Sequence, residues 1–207
     1  MLKKNILVSP VVKWVGGKRQ LLSDIEPLIP KKISTYVEPF IGGGALLFHL
    51  QPQKAIINDY NSELMNVYNV IKEKPNELIS SLEKHEINNS EEHFYKTRAL
   101  DREKEYENMS NIEKASRILY LNKTGYNGLF RVNKAGQLNV PYGRYKKPNI
   151  VNDTIIKAVS KYFNSSNIKF LTGDYKQALK GLRKGAFVYF DPPYMPISDS
   201  SSFTGYT

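Results

Sequence analysis

The sequence predicts an α/β fold: a parallel, doubly wound sheet with a mostly helical lobe inserted into it. Three observations carry this expectation. A short apolar strand runs into the glycine-rich turn Pro39-Phe40-Ile41-Gly42-Gly43-Gly44, apolar strand-like runs recur between helical patterns, and the last such run ends in Asp191-Pro192-Pro193-Tyr194. Strands that alternate with helices need crossover connections, and such connections return the chain to a parallel sheet.

Taken in order, Thr35-Tyr36-Val37-Glu38 reads as the first strand. Ala45-Leu46-Leu47-Phe48 opens the helix after the glycines, and Lys54-Ala55-Ile56-Ile57-Asn58-Asp59 is a second strand ending in an acid. Together they form a βαβ unit. Helical periodicity covers roughly 61–73, 75–84, 91–107 and 111–122; Asn61 caps the first, and Ser110 with Glu113 three residues on forms a capping box for the last. From about 126 to 150 the pattern turns strand-like and is broken by Gly128, Gly136, Pro141 and Gly143, with Lys134-Ala135-Gly136-Gln137 suited to the turn of a β-hairpin. A helix near 152–164 leads to a third strand, Ile168-Lys169-Phe170-Leu171, which ends at Gly173-Asp174. Another helix near 175–182 leads to the fourth strand at 186–190.

Composition narrows the function. The chain has 207 residues, 41% hydrophobic and 24% charged, which suits one domain with a sizeable core, or a core plus a small appended lobe. No run approaches the ~20 apolar residues of a membrane span, and Met1–Val8 has too short an apolar centre for a signal peptide, so a cytoplasmic protein is expected. The absence of cysteine excludes disulfides, thiolate metal sites and thiol nucleophiles, and with them cytosine C5 methylation. His49, His85 and His93 stand apart in sequence without metal-ligand spacing, and no metal is expected. A net charge of +10 suggests a polyanionic partner. Between Lys114 and Asn152 there are eight basic residues and no acid, interleaved with Tyr126, Phe130, Tyr142 and Tyr145. That one-sign stretch reads as a nucleic-acid surface.

The chemistry starts at Asp191. Prolines cannot donate to a ladder, so the fourth strand must stop and leave the acid at the sheet's carboxyl edge, where open α/β sheets bind ligands. A carboxylate, the Pro192 carbonyl and the flat ring of Tyr194 make a receptor for a planar ring bearing an exocyclic amine, adenine or cytosine. The glycine-rich turn lets a ligand approach the backbone, yet it lacks the full G-x-G-x-x-G spacing and would serve NAD, FAD, a nucleotide or S-adenosylmethionine (AdoMet). Asp59 suits two ribose hydroxyls. Lys13-Trp14-Val15-Gly16-Gly17-Lys18 is no Walker loop; its lysine fits a methionine carboxylate, and Trp14 offers a ring face.

These segments, with Asn58-Asp59-Tyr60-Asn61, the stretch Gly125–Asn133 and the stretch Leu138–Pro148, resemble the Dam-type DNA adenine-N6 methyltransferases and follow that family's order along nearly the whole chain. The resemblance implies a Rossmann-like AdoMet-dependent methyltransferase sheet, with residues 1–60 and 151–207 binding the donor and 61–150 forming a mostly helical target-recognition lobe that carries the hairpin. It implies AdoMet contacts from Trp14, Lys18, Phe40, Gly42, Gly44, Asp59, Asp174, Tyr175 and Asp191, and catalysis by Asp191, Pro192 and Tyr194. Double-stranded DNA containing GATC would meet Tyr126, Asn127, Leu129, Arg131 and Pro141 at its bases, Arg131 reading guanine, and Asn133, Arg144 and Lys146 at its phosphates. The family continues past Ser202–Tyr206 into a seven-stranded sheet, whereas only four strands are identifiable here, so self-association or a missing carboxyl-terminal segment is expected. Methylation of RNA or of a protein glutamine fits the hairpin and the acid-free stretch less well. A noncatalytic DNA-binding fragment or subunit is the alternative from a different class.

Overall fold

The computed structural model describes residues 4–14 and 16–193. Four parallel strands form one sheet: β1 (Thr35–Glu38), β2 (Lys54–Asp59), β3 (Asn167–Thr172) and β4 (Ala186–Val188), in the order β3-β2-β1-β4. In register, Val37 lies opposite Ile56 on one side and Val188 on the other, and Ile57 lies opposite both Glu38 and Phe170. β1 and β2 are paired on both edges, which accounts for their continuous apolar character.

Eight helices are described. After two single 3-10 turns around α1 (Leu22–Ile25), α2 (Ala45–Leu50) crosses between β1 and β2. The lobe between β2 and β3 holds α3 (Ser62–Glu73), α4 (Pro75–Ile87), α5 (Glu91–Ala99), α6 (Asn111–Thr124) and α7 (Asp153–Ser165), and α8 (Lys176–Leu179) joins β3 to β4. The expected caps form: the Asn61 side chain accepts from Leu64 N at 3.0 Å, and Ser110 and Glu113 make the reciprocal capping box. Along α7, Ile156, Val159, Ser160 and Phe163 are buried at i, i+3, i+4, i+7, the spacing of one helical face. That face packs on α3, whose Met65, Tyr68 and Ile71 point the same way, so a single apolar core runs from the sheet into the helices. Each such fully buried side chain contributes about 1.5–3 kcal/mol.

Several elements differ from expectation. The helix expected over 91–107 ends at Ala99 and gives way to 3-10 turns at Leu100–Arg102 and Lys104–Asn108. The reason is a polar network: Asp101 accepts from Leu138 N at 2.7 Å and pairs with Arg117 at 2.9 Å, while Arg102 donates to the Leu138 carbonyl at 2.7 Å. Arg117 is 1% exposed and also donates to the carbonyls of Thr97 and Arg98 at 2.9 and 2.8 Å. It therefore leaves the basic surface stretch and becomes a core residue. The helix expected at 175–182 is confined to Lys176–Leu179, and β4 stops at Val188, although Tyr189 N still donates to Val37 at 2.9 Å. The hairpin forms, but through two isolated antiparallel bridges, Gly125 to Tyr142 and Val132 to Leu138, because the glycines and Pro141 interrupt the ladder.

Arg117→Ala should cost ~3–5 kcal/mol, since it empties a fully buried site, breaks the ion pair with Asp101 and removes the donor to the Thr97 carbonyl, whereas Ser110→Ala should cost ~1 kcal/mol. Urea unfolding measures both, and equal losses would refute the assignment of Arg117 to the core.

Candidate active site

Between β1 and β4 the direction of winding reverses, and a crevice opens at the carboxyl ends of the strands. A cleft of about 690 Å³ occupies it, within the range of small-ligand sites. Its floor is the glycine turn. Gly42 has φ +47°, and a Cβ there would come within 2.9 Å of the Trp14 ring. The turn is clamped from both sides: Gly42 N donates to Asp59 Oδ2 at 2.9 Å, and the Tyr68 hydroxyl donates to the Gly42 carbonyl at 2.6 Å. Asp59 Oδ1 accepts from Asn61 N at 3.0 Å. Burial raises the Asp59 pKa, opposed by the backbone N–H groups of Asn61, Gly42 and Tyr60. The helix cap belongs to Asn61, and Asp59 lines the cleft.

On the opposite wall, Lys18 Nζ lies 2.7 Å from both carboxylate oxygens of Asp191 and donates to the Gly16 carbonyl at 2.7 Å. Two residues assigned separate tasks in the sequence are thus an ion pair here. Trp14 packs over Gly42 and Gly43 and stacks on Phe130 with centroids 4.7 Å apart, which commits one ring face to the protein. Phe40 meets Tyr175 at 5.3 Å and Phe190 at 6.3 Å, an aromatic cluster at the strand ends. Asp174 Oδ1 accepts from Lys176 N at 2.8 Å.

Glu38, at the end of β1, also lines the cleft. It is 3% exposed and accepts the Tyr36 hydroxyl at 2.7 Å. Burial pushes its pKa up to about 8, Tyr36 and the Leu47 N–H pull it down, and the charges of Asp191 and Asp59 add to the rise. Burial thus favours the protonated form of this carboxyl.

The residues expected to face DNA differ in exposure. Tyr126, Asn127, Pro141, Arg144 and Lys146 are exposed, whereas Leu129, Arg131 and Asn133 are half-buried. Arg131 donates Nε and Nη2 to the Asn139 carbonyl at 3.0 and 2.7 Å, a fork that orients its guanidinium. Asn133 accepts from the N–H groups of Ala135 and Gln137, both at 3.0 Å, and so shapes the hairpin turn. Arg144, at φ +52°, lies 3.4 Å from Glu91. Burial and the cations Lys13 and Arg19 lower the pKa of Lys123, which marks a basic cluster beside the cleft mouth. Tyr194 lies outside the described residues, as does Val15.

One sequence expectation needs correcting. His85 and His93 do not stand apart: their rings face each other at 3.0 Å, Nδ1 to Nε2, and His85 stacks on Tyr120 at 4.7 Å. One helical hairpin brings α4 and α5 together, and sequence spacing does not register that. Among the described residues no group of three or more ligating acids or histidines could hold a metal, and no helix is long and apolar enough to cross a membrane.

A family model, D12 class N6 adenine-specific DNA methyltransferase, matches residues 14–207. The chain belongs to that family. The type II methyltransferase M1.LlaDCHI of Lactococcus lactis subsp. cremoris is 50% identical over 208 residues, covering 100% of this chain and 73% of the relative. The type II methyltransferase M.MjaIII of Methanocaldococcus jannaschii is 44% identical, covering 97% and 74%. The DNA adenine methylase of Escherichia coli K12 is 34% identical, covering 99% and 70%.

For a D12 class member, sequence reasoning left Glu38 and Asn122 without a role and placed Phe130 among the aromatics of a nucleic-acid surface rather than against Trp14 in the cleft. Glu38 had a signal, an acid ending a strand otherwise expected to be buried. Phe130 and Asn122 had none, because their partners lie over a hundred positions away, at Trp14 and Lys13.

Glu38 binds more protons folded than unfolded between its ordinary pKa and about 8, so its contribution falls as pH rises through that window. Glu38→Gln removes this titration. Its stability relative to wild type should grow between pH 5 and 8 by up to about 1 kcal/mol per pH unit, read by urea unfolding. A constant difference would mean that Glu38 is ionised in the fold.

Proposed function

We propose that this chain transfers a methyl group from AdoMet to N6 of an adenine extruded from duplex DNA, within GATC. The observation that carries the reading is the meeting of Asp191 with Lys18 at the mouth of a cleft floored by the Gly42–Asp59 clamp, in a chain of an N6 adenine-specific family. The likeness of the hairpin segment to Dam-type enzymes and the kinship to DNA adenine methylases support GATC. Kinship to type II methyltransferases supports a restriction–modification setting.

The cleft fits AdoMet by its donor set: the open face of Trp14 with Phe40 and Tyr175 for the apolar and ring parts, the buried carboxylate of Asp59 for hydroxyls, Asp174 and Tyr175 at the rim, the backbone of Gly42 and Gly44 at the floor, and Lys18 for a carboxylate. When bound, AdoMet supplies an electrophilic methyl on a sulfonium. The chain does the rest. Asp191 Oδ and the Pro192 carbonyl accept the two N6 hydrogens of adenine, which localises the amine's lone pair and aims it. The Asp191 carboxylate must first exchange Lys18 for the amine, and Lys18 would be free to leave it if AdoMet, when bound, offered the lysine a carboxylate. Glu38, when protonated, keeps a second negative charge away from Asp191. Orientation and fixed charge in a dry site then carry the acceleration. Tyr194 restores the stacking lost on extrusion, which costs a few kcal/mol.

Residues 1–60 and 151–207 act as the donor-binding part and 61–150 as the target-recognition part. The Nε–Nη2 fork of Arg131 is held by Asn139, so its Nη1 edge is left to approach guanine. Tyr126, Asn127, Leu129 and Pro141 meet the base stack, and Asn133, Arg144 and Lys146 meet phosphates.

Asp191→Ala should lower methyl transfer by roughly 10²–10³-fold and leave duplex affinity within threefold. Tritium transfer and gel-shift titration separate the two, and near-wild-type turnover would sink the mechanism. Arg131→Ala should lose ~1–3 kcal/mol of discrimination at one base pair, whereas Lys146→Ala should weaken all sequences alike and reduce the salt slope by about 1. Uniform loss in both variants would remove Arg131 as a base reader.

A further inference from the structure

Asn122, near the end of α6, is 4% exposed. Its amide is used on three sides: Oδ1 accepts from Lys13 N at 2.8 Å, and Nδ2 donates to the carbonyls of Lys13 at 2.8 Å and Gly128 at 2.9 Å. One side chain therefore holds both backbone polar groups of the residue before Trp14 and, at the same time, the segment that leads into Phe130 and Arg131. The contact is close enough to need glycine. A Cβ on Gly128 would lie 2.5 Å from Lys13 Cδ. The two chains it joins meet again one step further, where Trp14 stacks on Phe130 at 4.7 Å and Trp14 covers Gly42.

We propose that Asn122 is a positioning residue that couples the donor cleft to the DNA-reading hairpin. This rests on the proposed function, since it joins that reading's two sites. The amide makes the Lys13 segment and the Gly128 segment one body. A ligand against Trp14 sets the plane of Phe130 and hence the base of the strand carrying Arg131; a duplex that orders the hairpin sets Trp14 in return. Coupling of this kind is reciprocal by linkage. Deleting the amide lets each site order alone, so each ligand binds with the other's help lost.

The test is calorimetric titration of S-adenosylhomocysteine into the free chain and into the chain saturated with a GATC duplex. In the wild type the duplex should tighten binding by about tenfold, an ordinary size for coupled sites. In Asn122→Ala that ratio should fall below about twofold while each single-ligand affinity stays within about threefold, a pattern that simple destabilisation does not produce. Phe130→Leu keeps the amide and removes the stack. Its ratio should also fall, and it decides the matter if thermal melting shows Asn122→Ala unfolded. A wild-type ratio retained in Asn122→Ala, or in Phe130→Leu where that variant decides, overturns the proposal. A ratio of one in the wild type, with both ligands bound, overturns it and leaves the proposed function standing. Failure of the wild type to bind either ligand overturns both.

Discussion

The cleft depends on one hydrogen bond, from the Gly42 N–H to the buried carboxylate of Asp59. It joins the turn after β1 to the end of β2, and only a residue without a Cβ can stand there, because Trp14 closes over the turn. The same carboxylate takes the Asn61 N–H, so the start of α3 and the helical lobe behind it are referred to the same point. Tyr68, reaching from α3 to the Gly42 carbonyl, closes the circuit. Without this clamp, strand order alone would give a crevice but no defined floor.

Buried polar groups do comparable work elsewhere. Arg117 and Asp101 hold the base of the hairpin from inside the lobe, and Asn122 holds it from the cleft side. A two-bridge hairpin interrupted by glycines and a proline has little ladder of its own, so its position is set by these side chains. The hairpin is thus held where it joins the core and exposed at its rim, at Tyr126, Arg144 and Lys146.

What could be read along the chain was what local chemistry determines. The strands at 35–38 and 54–59, the caps at Asn61 and Ser110, and the parallel order follow from turn residues, apolar runs and the crossover rule, and the structure has them. The Asp191 motif was legible because two prolines leave few ways to continue a strand. Charge counting misjudged Arg117, since sign along the sequence says nothing about burial, and the 91–107 helix was overextended because its end is imposed by Leu138. The Lys18–Asp191 pair and the Asn122 clamp are products of chain folding over long separations, for which no local pattern exists, and the His85–His93 contact depends on how the short link between α4 and α5 turns.

The insertion between β2 and β3 bears on how the molecule comes to be folded. β2 ends at Asp59 and its partner β3 begins at Asn167, so their pairing must wait until the whole intervening lobe has closed on itself. Non-local parallel pairing is slow, while α3, α4 and α6 pack on one another within the insertion and need no sheet to begin. As the chain emerges, the glycine turn and β2 are available early, and β4, the latest of the four described strands, pairs with the side of β1 that β2 leaves open. The order of synthesis thus completes the helical lobe before the strand that leads to Asp191.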